Sequence, residues 1–330
     1  MECIAVILAG GRGSRMALKT SKVLAPICHK PILSYIFDEL KNINFYQKFV
    51  VLGANSQEIA PLLPSDTQIA IQSTPRGTGD AFACACKKFS DFDGRVLLIN
   101  GDGPIVSSDT IKQIMCLNDA KMSIFTGILP QNQYFGRIKR RFGKIVDIIE
   151  ARDCGVKDLK IAEKNLGIYC FDNQTLQKYI YNLTCDNAQN EYYVTDLVKI
   201  FAQNQHKITS FVKNNADFYL PSTNTLSELC ESQRIMQNII NVRHIGSGVN
   251  ILYPNNTCID AYSEIGKFTT IYANCTIIGS KIGQNCTIYP NCVIKNAILA
   301  DNLVIGSNSV IEGAQIAKSI APLSYIKDKK

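Results

Sequence analysis

Ile4-Ala5-Val6-Ile7-Leu8-Ala9-Gly10-Gly11-Arg12-Gly13-Ser14-Arg15-Met16 is an apolar, β-branched run that opens abruptly into a glycine-rich turn. The run reads as a buried first strand, because a short continuous apolar stretch bounded by glycines suits a strand covered on both faces. The glycines let the chain turn sharply and bring backbone N–H groups against an anion with no Cβ in the way. Arg12, Arg15 and, a little downstream, Lys22 add cationic side chains to the same place. Cations clustered in this way repel one another unless an anionic partner meets them. Strand, backbone cradle and cations together describe a site for a nucleoside triphosphate. The spacing is not that of a Walker A loop, and an arginine stands where a dinucleotide fingerprint would place its third glycine. An ordinary strand-to-helix turn accounts for the glycines but not for the cations.

Outward from this loop the first two-thirds of the chain alternates apolar runs with helical stretches. Strands are expected at residues 49–52, 96–99, 122–128, 144–149 and 167–171, and helices at 32–41, 79–87, 108–117, 175–181 and 195–202. Such alternation predicts an α/β, Rossmann-like domain with a mainly parallel sheet, whose ligands bind at the carboxyl ends of the strands. A different texture begins near residue 246. Ile259, Ile265, Ile271 and Ile277 recur every six residues, followed by Ile282, Ile288 and Ile294, then Ile305 and Ile311. Small and polar residues fill the intervals, as in Ile282-Gly283-Gln284-Asn285-Cys286-Thr287. A hexapeptide period signals a parallel β-helix, in which each hexad forms one face of a triangular coil. A β-sandwich would alternate with period two instead. Residues 249–316 then amount to about four coils. Leu226, Leu229, Met236 and Ile240 fall on one stripe of a helix joining the halves. The expected organisation is a nucleotidyltransferase domain over 1–225, a linker helix over 226–245, and a short left-handed β-helix with its tail over 246–330.

The composition agrees with a globular protein of this size. Hydrophobic residues make up 46% and charged residues 19% of the 330 positions, enough for a sizeable core. A net charge of +7 without a dense basic block suits small phosphorylated substrates better than a nucleic-acid track. No apolar run approaches a membrane span. The thirteen cysteines are scattered without a Cys-x-x-Cys pair, and the three histidines lie far apart in sequence. Reduced, buried thiols in a cytoplasmic protein are therefore expected, rather than disulfides or zinc.

Three further places hold residues suited to chemistry. Asn100-Gly101-Asp102-Gly103-Pro104 follows an apolar run, so Asp102 stands at a strand's carboxyl end facing the phosphate loop. A carboxylate there is a natural ligand for Mg²⁺, which prefers oxygen and bridges substrate phosphates; a plain turn aspartate is the alternative. Gln72 precedes Gly77-Thr78-Gly79, where an amide can read the edge of a base and glycines permit close backbone approach. Phe135-Gly136-Arg137, Glu150 and Asn165 before Gly167 place acidic and amide groups at later strand ends, where they can divide up sugar hydroxyls.

The order of these motifs resembles the bifunctional UDP-N-acetylglucosamine pyrophosphorylase/glucosamine-1-phosphate acetyltransferase family. The resemblance runs from Leu8 through the hexapeptide region and includes Glu191-Tyr192-Tyr193-Val194-Thr195-Asp196. It implies that Leu8, Ala9, Gly10, Gly11, Gln72, Gly77 and Thr78 bind nucleotide, with Arg15 and Lys22 on the triphosphate. It likewise implies Gly136, Glu150 and Asn165 on the amino-sugar phosphate, and Mg²⁺ on Asp102 and Asn224. The last assignment aligns Ser222-Thr223-Asn224-Thr225 on the helix that follows. Gly103 replaces a branched residue usual in the family, and Phe135 a usual tyrosine. No histidine follows His244, so an acetyl transfer that needs a histidine base has no candidate here. The reaction implied is UTP plus N-acetylglucosamine 1-phosphate to UDP-N-acetylglucosamine and pyrophosphate, without acetyltransferase activity. The family's β-helices associate as homotrimers. Two alternatives are the same chemistry on another sugar 1-phosphate, such as glucose 1-phosphate, and a non-catalytic nucleotide-binding scaffold subunit.

Overall fold

Strand β1 (Cys3–Leu8) is buried along nearly its whole length, as its unbroken apolar sequence requires of a strand covered on both faces. The computed structural model describes residues 2–11, 20–53, 56–103, 107–117, 119–129, 135–213 and 225–328; Arg12, Arg15 and Asn224 lie outside the described residues. After β1 come the short strands β2 (Pro26–Ile27) and β3 (Lys30–Pro31), helix α1 (Ile32–Leu40), β4 (Gln47–Leu52) and α2 (Ser56–Ile59). Then follow β5 (Thr67–Ile71), α3 (Thr78–Cys86), β6 (Arg95–Asn100), α4 (Ser108–Met115) and β7 (Met122–Ile128). The hairpin β8 (Arg137–Arg141) and β9 (Lys144–Ile149) precedes β10 (Glu163–Asp172), α5 (Asn173–Tyr179), α6 (Asp196–Gln203) and β11 (Ile208–Lys213).

The main sheet runs in the order β11-β7-β10-β6-β1-β4-β5, with the β8/β9 hairpin branching from β10. β6, β1, β4 and β5 are mutually parallel, and β11 is parallel to β7. β10 alone among the central strands runs antiparallel to both its neighbours. Successive side chains of a strand point to opposite faces, so Val6 and Val96 enter one core while Ile7 and Leu97 enter the other. Phe82 on α3 and Leu197 and Phe201 on α6 cover the first face. Leu33 and Ile36 on α1, with Ile111 and Ile114 on α4, cover the second. The result is a Rossmann-like, three-layer α/β domain.

The expected strands and helices are present within a few residues, but β5, β8 and β11 add to them. β5 is an edge strand with only Ala70 fully buried, and β8 reads Arg-Ile-Lys-Arg-Arg, so neither carries a strong apolar pattern.

By contacts the chain divides into Met1–Ala25 with Ile32–Asn224, and Pro26–Pro31 with Thr225–Lys330. In the second unit α7 (Leu226–Gly246) begins at a capping box between Thr225 and Glu228. Its expected apolar stripe holds only in part: Met236 and Ile240 are buried, whereas Leu226 is 51% exposed. Buried Asn241 and its neighbour Gln237 complete that face, donating to the carbonyls of Pro254, Thr257 and Ile259. The β2/β3 hairpin joins them, with the Cys28 N–H on Gln233 at 2.8 Å.

Beyond α7 the chain winds through three parallel sheets, the architecture of a short left-handed parallel β-helix. Isoleucines stack in register from Ile271 to Ile288 to Ile305 and from Ile277 to Ile294 to Ile311, a repeat of 17 residues per coil. One face of these coils is therefore a residue shorter than a strict hexad, whereas the first coil is longer, with Ile251 paired to Ile271 and Ile259 to Ile277. Asn274, Asn285, Asn291, Asn302 and Asn308 turn corners with positive φ. All thirteen cysteines are free thiols; seven are buried, while Cys116 and Cys230 are exposed. Among the described residues no helix is long and apolar enough to cross a membrane.

Candidate functional site

The site begins where β1 and β6 end side by side, Leu8 opposite Asn100. The Gly101 N–H donates to the Leu8 carbonyl at 2.8 Å, and a Cβ on Gly101 would lie 2.6 Å from that oxygen. Only glycine lets the end of β6 lie this close to β1, and Asp102 follows at once. Lys22, opening the turn after the phosphate loop, places its Nζ 2.7 Å from Asp102 Oδ2. Both side chains are largely withdrawn from water, 17% and 14% exposed. The lysine stem runs beside Gly11, where a Cβ would stand 3.1 Å from Lys22 Cε. A cation and a carboxylate separated by 80 positions in the chain thus meet at the loop.

Along the sheet edge to one side stands Gln72, just past the end of β5 and 6% exposed. Its Nε2 donates to Asp80 Oδ2 at 2.7 Å and to the Gly77 carbonyl at 3.1 Å. Its Oε1 lies 3.7 Å from the Cβ position of Gly10, beside the phosphate loop. Gly77 has φ +109°, and a Cβ there would lie 2.5 Å from the Tyr192 carbonyl. Thr78 opens α3, and its hydroxyl oxygen accepts from the Val194 N–H at 3.1 Å. Tyr192 N–H to Arg76 and Gly79 N–H to Tyr192 complete the clamp around the turn.

To the other side, β10 brings Asn165 to the same edge. The Asn165 N–H donates to the Gly136 carbonyl at 2.9 Å, and Glu150 Oε2 lies 3.6 Å from the Gly136 Cβ position. Gly136, Glu150 and Asn165 therefore sit together. Thr195 donates to Glu150 Oε1 at 2.9 Å. Burial pushes the Glu150 carboxyl above its ordinary range, Thr195 opposes that, and the charges of Asp153 and Asp196 reinforce it. Asn165 Nδ2 donates to the Tyr169 hydroxyl at 2.6 Å, while its Oδ1 accepts from the Gly167 N–H. A Cβ on Gly167 would meet Asn100 Nδ2 at 2.7 Å, which ties this group back to the end of β6. Asn100 Oδ1 is buried with no hydrogen-bond partner among the described residues.

Leu8, Ala9, Gly10 and Gly11 thus form the centre of a row that runs from Gln72 to Glu150, and Arg15 and Asn224 fall outside the described residues. Asp102 fits a Mg²⁺ ion by chemistry, because this ion takes one or two protein carboxylates and fills its remaining positions with water and phosphate. No group of three or more His, Cys, Asp or Glu side chains suited to a metal occurs among the described residues. Sequence reasoning passed over Asp80 and Tyr169, and named Asn100 only as the start of the Asp102 motif, without a role. An acid in the first turn of a helix has a ready explanation in the helix dipole, so nothing in sequence tied Asp80 to Gln72.

Residues 5–126 match the family model for the MobA-like NTP transferase domain, and residues 279–313 match the bacterial transferase hexapeptide (six repeats). The chain joins a domain similar to NTP transferases to a hexapeptide β-helix. The bifunctional protein GlmU of Shouchella clausii is 33% identical over 279 residues, covering 83% of this chain and 61% of the relative. GlmU of Lactobacillus helveticus is 32% identical over 294 residues, covering 85% and 61%, and GlmU of Clostridium tetani 34% over 273, covering 81% and 60%. The family resemblance read from the motifs is thereby shown over most of this chain, which spans about three fifths of the length of those relatives.

Proposed function

We propose that the chain transfers uridylyl from UTP to N-acetylglucosamine 1-phosphate, with Mg²⁺ required and pyrophosphate released. The observation that supports this reading best is the meeting of Lys22 and Asp102 at the glycine loop, in line with Gln72 on one side and Gly136, Glu150 and Asn165 on the other. A phosphoryl transfer needs positioning and charge neutralisation more than covalent help.

In this reading Gly10 and Gly11 open the loop to the triphosphate and Gln72 faces the base. Glu150 keeps Oε2 for a sugar hydroxyl while Thr195 holds Oε1, and Asn165 is fixed by Tyr169 and Gly167. A phosphate oxygen of the sugar forms a bond to the α-phosphorus as the bond to pyrophosphate breaks. No general base is needed, because the attacking phosphate is already ionised at neutral pH. Lys22 offsets charge that grows on the departing pyrophosphate. When bound, Mg²⁺ supplies neutralisation across the phosphate oxygens, and Asp102 with Asn224 would hold it. Trimerisation through the β-helix is part of the same proposal.

Pyrophosphate release from UTP and N-acetylglucosamine 1-phosphate, with and without Mg²⁺, tests the reaction. Release that needs both substrates and the metal supports it. Preference for glucose 1-phosphate reassigns the acceptor, and nucleotide binding without release in any combination leaves a scaffold subunit.

A further inference from the structure

The amide of Gln72 has a fixed orientation. A carboxamide nitrogen carries two hydrogens, and both are used: one points to Asp80 Oδ2 at 2.7 Å, the other to the Gly77 carbonyl at 3.1 Å. Neither acceptor carries a hydrogen. Turning the amide over would press Oε1 against a carboxylate and a carbonyl in a nearly water-free position, which is costly. Asp80 is itself held, since Arg76 Nη2 lies 2.6 Å from its other oxygen, Oδ1. Gln72 is therefore left with one group to offer, the lone pairs of Oε1. That oxygen borders the phosphate loop, 3.7 Å from the Cβ position of Gly10, and no donor among the described residues reaches it.

We infer that Asp80 is a specificity-determining positioning residue: it locks Gln72 as a pure hydrogen-bond acceptor, so the cleft selects a pyrimidine whose ring N3 carries a hydrogen. Uracil presents N3–H and satisfies Oε1. Cytosine presents a bare N3, which sets two acceptors face to face and leaves both unpaired. The inference rests on the reading above that Gln72 faces the base, but it concerns the choice of base and not the transfer. An unlocked glutamine turns over and donates to cytosine as readily as it accepts from uracil. The acidic side chain, rather than the amide alone, carries the selectivity.

Asp80→Asn is nearly isosteric and tests the lock directly. Arg76 draws the new carbonyl to its own side, so the new NH₂ faces Gln72 and favours the turned amide. With sugar phosphate and Mg²⁺ fixed, wild type is expected to prefer UTP over CTP in kcat/KM by about a hundredfold or more. Asp80→Asn is expected to lower that ratio at least tenfold, with the CTP value rising in absolute terms. Asp80→Glu restores the carboxylate and recovers part of the ratio. A merely structural role lowers both nucleotides alike, so an unchanged ratio in Asp80→Asn and Asp80→Ala overturns the lock. Calorimetric binding of UTP and CTP to wild type and Asp80→Asn separates this result from the fate of the transferase. A wild type that turns over neither nucleotide, yet binds UTP over CTP through Asp80, keeps the lock and removes the transferase. Equal affinities, a preference for CTP, or no binding of either overturns the lock whatever the transfer assay gives.

Discussion

Asp260 in the first coil of the β-helix and Asp196 at the start of α6 are both aspartates withdrawn from water, and their surroundings differ completely. Asp260 is 1% exposed and accepts from the Ser263 N–H and hydroxyl and from the Gly279 N–H. Asp196 is half-buried, and no donor among the described residues reaches its carboxylate. Burial, then the like charge of Asp147, pushes it up to about 6, against a smaller opposing pull from Lys199. The contrast extends to the units that hold them. In the second unit α7 leaves buried Ser232 Oγ without a partner, but beyond it the described β-helix residues satisfy their buried polar side chains, and asparagines turn its left-handed corners. The α/β domain leaves Asn100 Oδ1 without a hydrogen-bond partner among the described residues, beside the strand ends, and gathers Lys22 and Asp102 next to Gly11. Costs left without compensation inside a fold mark the places where a ligand can supply the missing partner.

The largest effects should separate the two units by the kind of loss. Asp102→Ala is expected to lower the turnover number of UTP about a thousandfold or more, and Lys22→Ala about a hundredfold, with little change in Tm. In the β-helix the opposite holds. Ile288 is fully buried between Ile271 and Ile305, and Ile288→Ala is expected to cost about 2–5 kcal/mol in denaturant unfolding. Asp102→Ala that retains turnover but unfolds easily would make that residue structural and erase the contrast.

This division also explains what could be read in sequence. The β-helix was legible almost residue by residue, because its buried ladder of isoleucines repeats and a repeat announces itself. Only the shortened face escaped, since 17 residues per coil appear in sequence as an occasional interval of five. β1, β6 and β7 were equally plain, being apolar on both faces. β8 was hidden because four of its five residues are charged, and β10 gave no sign of its antiparallel direction, which no local pattern encodes. In the site, the residues that face the cleft stood out by motif. Of those that aim them, Gly167 and Thr195 stood within motifs but without this role, and Asp80 and Tyr169 did not stand out at all: Asp80 orients Gln72, Tyr169 and Gly167 orient Asn165, and Thr195 holds one oxygen of Glu150. Asp80 and Thr195 lie outside the elements of the side chains they hold, and Tyr169 and Gly167 share β10 with Asn165 across an irregularity of the strand, so each pairing is fixed only when the chain folds.

A smaller effect tests the aspartates themselves. The Asp196 carboxyl rises from an unfolded value near 3.9 to about 6 in the folded chain, so between those values the folded state binds more protons than the unfolded. Its contribution is therefore full below about pH 4 and lost as the pH climbs through 6. Asp196→Asn mimics the protonated form, and its Tm should exceed that of wild type at pH 7 and converge with it near pH 4. A Tm difference that does not vary over this range would mean that Asp196 has a partner like that of Asp260.

The smallest effect concerns the corners. Asn291 sits at φ +64°, donates to Asn308 Oδ1 at 3.1 Å and accepts from Asn274 Nδ2 at the same distance. Two contributions hold it there, a left-handed backbone that most side chains resist and a ladder of exposed amide bonds. Asn291→Ala removes both and should cost about 1–2 kcal/mol in urea unfolding. Asn291→Gly keeps the backbone and removes only the ladder, at a few tenths of a kcal/mol, because bonds at the surface are exchanged for bonds to water. Equal losses in the two variants would place the energy in the amide ladder. A clear gap, with alanine the worse, puts it in the backbone, and the recurrence of asparagine at these corners is then a matter of the φ it tolerates.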